Sequence, residues 1–240
     1  MVLSPKAYCA VRQNYNPCPG CGKVPAMQVI SVQSRVAHGY VGNAAAVPAY
    51  QAAGIDAWAV DTVRLAYHPG HARAFGPPAG SKTAPDEVAA MLAGVFARVG
   101  HTPVAVHLGY LGSAETGRRV LAEIAKRRQS GVADRLIVDP VIGDDAEGRY
   151  VEEALVGFYR DEAAPLADVL LPNRFELALL TGMTVESLAD AKAAALTVAP
   201  GRNSTVLVSS LPGVDGGIAN LAVDADGAWM AEVPKRPLRA

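Results

Sequence analysis

From Gln28 onward, short runs rich in Val and Ile alternate with Ala-, Leu- and Glu-rich segments of helical spacing. Near-continuous apolar runs suit strands buried on both faces, and the periodic segments between them suit crossover helices. The alternation therefore restricts the chain to successive βα units around a mostly parallel sheet, a doubly wound three-layer α/β architecture. Strands are expected at Gln28–Gln33, Ile55–Val63, Val104–Leu108, Arg135–Asp139, Asp168–Leu171 and Thr205–Ser209. Ile218–Val223 and Ala228–Val233, joined across Asp224-Ala-Asp-Gly227, read as a closing hairpin.

Helix boundaries follow from capping chemistry. Asn43 is expected to cap a helix stopped by Gly54, Thr83-Ala-Pro-Asp86 to form a capping box, Ser113 to cap a helix through Gln129, and Thr184 to cap another. Further helices are expected over Val151–Tyr159 and over Arg174–Leu180, the latter closed by Gly182. The Pro- and Gly-rich stretch Tyr67–Thr83 is a candidate lid.

The 240 residues suit one sizeable core, expected over residues 27–240, preceded by a flexible extension over residues 1–26. A net charge of −1 and 19% charged residues argue against a nucleic-acid partner. No apolar run reaches the ~18 residues of a membrane span, so a cytosolic protein is expected. The cysteines Cys9, Cys18 and Cys21 all lie in the extension, and the Cys18-Pro-Gly-Cys21 spacing finds no second ligand pair downstream to complete a zinc site.

Parallel sheets bind ligands where their strands end, which gives weight to polar residues just beyond apolar runs. Gln33-Ser34, Tyr67-His68, Gly109-Tyr110, Asp139, Asn173 and Ser209-Ser210 all fall in that layer, and six such positions on one edge point to a pocket. No Gly-x-Gly-x-x-Gly follows the first strand, which sets a dinucleotide-binding dehydrogenase aside.

Three segments carry a family likeness: Gln33-Ser34-Arg-Val-Ala-His-Gly39-Tyr40-Val-Gly42-Asn43, Asp139-Pro-Val-Ile-Gly-Asp144, and Pro172-Asn173-x-x-Glu176 running on to Gly182. Together with Tyr110-Leu-Gly-Ser113 and Tyr159-Arg160 they resemble pyridoxal kinase of the ribokinase-like superfamily, in unbroken order from about Gln28 to Val233. The resemblance implies transfer of phosphate from ATP to the hydroxymethyl group of pyridoxal, pyridoxine or pyridoxamine, with Mg2+, often K+, and a homodimer. It assigns Ser34, His68, Pro69 and Tyr110 to the B6 vitamer, and Asp139, Asp144, Tyr150, Asn173, Glu176, Ser209 and Ser210 to ATP, with Asp139 and Glu176 near the metal. Hard cations prefer such oxygen ligands.

Several positions depart from the family. Arg35 stands where His is common, Arg64 where Gln is common, and Pro69 where a Thr hydroxyl meets the substrate. The family's Gly-Thr/Val-Gly-Asp segment, which supplies phosphate-binding amides and the catalytic Asp, does not occur; Val233-Pro-Lys-Arg-Pro-Leu-Arg-Ala240 stands after the hairpin instead. The expectation is an incomplete ribokinase-like domain lacking its final helices, with impaired catalysis. The alternatives are a non-catalytic B6- or nucleotide-binding remnant, and a hydroxymethylpyrimidine kinase of the same fold.

Overall fold

The structure is a computed structural model, and it describes residues 28–199, 201, 204–213 and 216–234. The expected extension, with Cys9, Cys18 and Cys21, lies outside the described residues, as do residues 235–240.

A nine-stranded sheet organises the chain. Its strands are β1 (Gln28–His38), β2 (Ala57–Tyr67), β3 (Gly80–Lys82), β4 (Val104–Leu108), β5 (Arg135–Val138), β8 (Val169–Leu170), β9 (Thr205–Pro212), β10 (Ile218–Asp224) and β11 (Gly227–Val233). Two further strands, β6 (Gly143–Asp144) and β7 (Gly148–Arg149), form a small separate hairpin. The order is β11-β10-β9-β8-β5-β4-β1-β2-β3, with every neighbouring pair from β9 to β2 parallel and the three outer pairs antiparallel.

Among the described residues seven α-helices connect the strands: α1 (Asn43–Ala52), α2 (Ala72–Phe75), α3 (Pro85–Val99), α4 (Ala114–Gln129), α5 (Glu153–Phe158), α6 (Arg174–Thr181) and α7 (Leu188–Val198). Alternation along the strands sorts side chains to two faces. Ile30, Val32, Val106, Leu108, Leu136, Val138, Val206 and Val208 form one core with apolar residues of α3 through α7. On the opposite face Val29, Ala57 and Ala105 pack against Val47 and Tyr50 of α1. Among the described residues α1 is the helix that joins this second cluster, so the expected third layer is present there in one helix. Leu207, whose pairing with Ala222 sets it one residue out of phase with buried Val206 and Val208, is 38% exposed.

Local chemistry explains most boundaries. Ser113 Oγ accepts from Thr116 N at 3.1 Å, as its position before α4 predicts. Gly182 closes α6 in the left-handed conformation at φ 68°, where only glycine is free of a Cβ penalty. The hairpin β10–β11 turns at Asp224, whose side chain accepts from Asp226 N and Gly227 N.

Three expected caps are corrected. Gly42, at φ 56°, occupies the N-cap of α1, and Asn43 instead turns inward to donate to Asp61 Oδ1 at 2.8 Å. A Cβ on Gly42 would lie 2.1 Å from Ser34 O, so the close approach of the β1–α1 turn to β1 excludes any capping side chain there. Thr83 forms no capping box, because its hydroxyl donates to Asp61 O across the β2–α3 junction; α3 starts at Pro85, a residue preset for a first helical position. Ser187, not Thr184, caps α7, and with Asp190 it completes a capping box.

The ends of β1 and β2 extend past the expected limits as a paired ribbon, and β3 within the candidate lid pairs with β2. The structured part of that stretch also includes the turn Pro69–His71 and α2. No helix among the described residues is long and apolar enough to cross a membrane.

Candidate active site

Three parallel strands end side by side at the centre of the sheet. Asp139 follows β5, with its amide donating to Leu108 O at 2.7 Å. Asn173 follows β8 and caps α6, its Oδ1 accepting from Glu176 N at 2.9 Å. Ser209 lies on β9, bridged to Asn173, and its amide donates to Pro172 O at 3.0 Å. The chain thus brings Asp139, Asn173, Glu176 and Ser209 to one rim.

Glu176 is 3% exposed and fully engaged. Its Oε2 accepts from Asn173 N at 2.8 Å, and its Oε1 accepts from Ile142 N at 3.0 Å and from Gly143 N. One carboxylate therefore closes the capping box of α6 and pins the turn after β5. Burial pushes its pKa up to about 7; the three amides pull it down, and the Asp139 charge raises it further. Burial also raises Asp139 to about 6. Two neighbouring acids, each reluctant to ionise, mark a place where a positive ligand gains by entering.

The hairpin β6–β7 leans on this pair. Asn173 Nδ2 donates to Gly143 O at 2.8 Å, and Tyr150 N donates to Ile142 O at 3.1 Å. Tyr150 is half-exposed, and its phenol is pushed up to about 12 by burial and by the charges of Glu176, Asp144 and Asp139. Asp144 Oδ1 accepts from Ala146 N and Glu147 N at 2.8 Å, so it shapes the hairpin turn while contributing charge to the rim. Ser210 holds φ 60°, and Ser209 and Ser210 together oppose Asn220 in a β-bulge. A non-glycine residue in that region is strained, a device that re-aims side chains and amides at strand ends.

Across β4 and β1 the rim changes character. Ser34 is half-buried at the irregularity between Gln33 and Arg35, with Gly42 packed on its backbone. Tyr110 is half-buried beyond β4, its carbonyl accepting from Thr62 Oγ1 at 2.6 Å. His68 and Pro69 lie further out: the last ribbon pair is His38↔Tyr67, four residues past Ser34, on the order of 13 Å along the strand. Both are exposed, and His68 Nδ1 accepts from Gly70 N at 3.1 Å to cap the lid turn.

The strand-end rule misses a buried polar group behind the rim. His107 Nδ1 meets Tyr50 Oη at 2.9 Å and Gln33 Nε2 at 3.2 Å, and burial drives the imidazole down to about 4. Its signal was a histidine inside the apolar run Val104-Ala-Val-His-Leu108.

The family described as phosphomethylpyrimidine kinase matches residues 78–229. A pyridoxal kinase of Rubrobacter xylanophilus is 38% identical over 217 residues, covering 88% of this chain and 73% of the relative. One of Leifsonia xyli is 37% identical over 218 residues, covering 89% and 76%. The chain belongs to the pyridoxal kinase family. Its fold is that of the family's solved members. The Leishmania donovani pyridoxal kinase in complex with ADP and pyridoxamine superposes with a TM-score of 0.76 at 31% identity, covering 89% of this chain and 76% of that one. A pyridoxal kinase from Entamoeba histolytica, 21% identical, shares the fold with a TM-score of 0.76 over 88% and 75% of the two chains.

Proposed function

We propose that the chain is an ATP-dependent kinase acting on the hydroxymethyl group of B6 vitamers. The observation that carries this is the meeting of Asp139, just past β5, with Glu176, in the first turn of α6 after β8, on a rim whose other side carries half-buried Ser34 and Tyr110. Relatives described with ADP together with pyridoxamine or pyridoxine support the pairing of a nucleotide with a vitamer.

Asn173, Ser209 and Ser210 line the nucleotide side with hydroxyl and amide groups, Asp144 adds charge to it, and Tyr150 stands over it. Ser34 offers a hydrogen bond to the vitamer ring and Tyr110 an aromatic wall, a combination suited to a flat polar heterocycle. His68 and Pro69 belong to the lid over it; Pro69 has no hydroxyl to offer.

A magnesium ion fits the donor set, since two buried carboxylates of raised proton affinity gain by facing a hard cation. Asp139 would hold it directly and Glu176 through water, because three amides already occupy the Glu176 carboxylate. When bound, the ion offsets phosphate charge. K+, a homodimer and a cytosolic location complete the reading.

The chain's own residues supply placement, which phosphoryl transfer needs more than covalent help. Calorimetry with MgADP and pyridoxal, combined with an assay for pyridoxal phosphate from MgATP, tests this reading. Absence of binding by either ligand refutes the kinase reading.

The phosphomethylpyrimidine kinase match favours a second reading, a hydroxymethylpyrimidine as acceptor. Tighter binding of that pyrimidine than of pyridoxal in direct competition would select it.

A further inference from the structure

We propose that Tyr159 and Thr62 are positioning residues that clamp the turn Gly109–Leu111 and so set the rim's affinity for the vitamer through Tyr110, without touching the vitamer. The inference rests on the reading of Tyr110 as a wall of the vitamer site.

The turn is held from several sides. Tyr159 Oη donates to Gly109 O at 2.5 Å, so its hydroxyl holds the start of the turn. Thr62 Oγ1 donates to Tyr110 O between them. Gly109 N donates to Val32 O at 3.1 Å, and a Cβ on Gly109 would fall 2.4 Å from Gln33 Oε1. Leu111 is fully buried. The backbone of three residues is thereby fixed, and only the Tyr110 side chain reaches the rim.

The two clamping hydroxyls come from remote parts of the sequence. Thr62 is 1% exposed on β2, and Tyr159 is fully buried on the helical turn after α5. A buried hydroxyl whose bond is directed at this turn is more than packing, since a phenylalanine would fill the same volume without a polar group to satisfy. Residues Tyr159–Ala163 form a π-helical turn, a rare widening that is frequent at functional sites. Burial and the charges of Asp139 and Glu176 keep the phenol protonated, so it remains a donor to Gly109 at any working pH.

Tyr159→Phe keeps the ring and removes the bond to Gly109 O. The expected result by calorimetry is a pyridoxal Kd raised about 10-fold with the MgADP Kd changed by less than about twofold, the fold-change that an unpaired buried carbonyl would produce. Thr62→Val is expected to move the same ratio in the same direction. Leu92→Ala, a truncation in the distant α3 core, is the control: it lowers Tm and leaves the ratio of the two Kd values unchanged. An unaltered ratio in Tyr159→Phe, or an equal change in the Leu92→Ala control, overturns the clamp. If Tyr159→Phe does not fold, Thr62→Val decides alone. Failure of the unaltered chain to bind pyridoxal while binding MgADP overturns the vitamer reading itself, and the clamp with it.

Discussion

Replacing Glu176 by Gln isolates the electrostatics of the acidic rim. In the folded chain the carboxyl holds its proton up to about pH 7, against 4.5 in the unfolded chain. The folded state therefore binds the proton more tightly. The resulting stabilisation is complete below pH 4.5 and is lost as pH rises through about 7. The group is 3% exposed, so solvent screening removes little of the effect. The rise from 4.5 to about 7 is worth on the order of 3 kcal/mol at ~1.4 kcal/mol per pH unit.

Gln cannot ionise and does not bear that loss, but its amide N–H groups face amides that the carboxylate satisfied, a fixed cost of about 1–3 kcal/mol. The variant should therefore be the less stable protein at pH 5 and draw level with or pass the parent by pH 8. Urea unfolding followed by the fluorescence of Trp58 and Trp229, on strands near opposite edges of the sheet, measures this directly. A stability difference that stays constant from pH 5 to pH 8 refutes the assignment of the strained proton to Glu176. MgADP should shrink the difference at pH 8, since a bound cation lets both acids ionise without penalty.

His107 runs the opposite way: its pKa is lowered from 6.5 to about 4, so stability falls as pH drops from 6.5 toward 4, by roughly 3 kcal/mol, and His107→Gln should flatten that limb relative to the parent in the same urea titration. Gly117→Ala should destabilise by about 1–3 kcal/mol, because the new Cβ would stand 2.3 Å from the buried Phe158 ring; an unchanged urea midpoint would show that α4 and α5 separate freely. Arg127→Met should cost about 3–5 kcal/mol by stranding Asp134, whose side chain is 1% exposed, while the double change Arg127→Met with Asp134→Leu should recover most of the loss in a double-mutant cycle.

Much of the candidate rim was legible from chain order. Asp139 and Asn173 stand directly beyond apolar runs, and a parallel sheet must collect such residues along one edge. The vitamer side was less legible. Ser34 was expected at a strand end, but β1 and β2 continue past it as a ribbon, because β3 folds back on β2 and supplies hydrogen-bond partners that no local pattern announces. His68 was expected as a wall, and its imidazole also caps its own turn. Tyr159 stood in a recognised motif, yet its partner turn lies far earlier in the chain, and only the packing of α5 against the core brings the two together.

The order of amino acids determined what depends on near neighbours: the alternation of strands and helices, the Ser113 cap, the Gly182 stop and the hairpin turn at Asp224. Each is decided by side chains within about four residues of the backbone they satisfy. Tertiary structure alone decided what depends on strand order. Glu176 closes a turn 34 residues upstream of itself. Asn43 gives up a cap for Asp61, and His107 finds Tyr50 across the layer between sheet and helix. These contacts exist because β5, β8 and β9 lie side by side and α1 crosses β1. Their energy comes from burying polar groups together, which has no signature in any one segment.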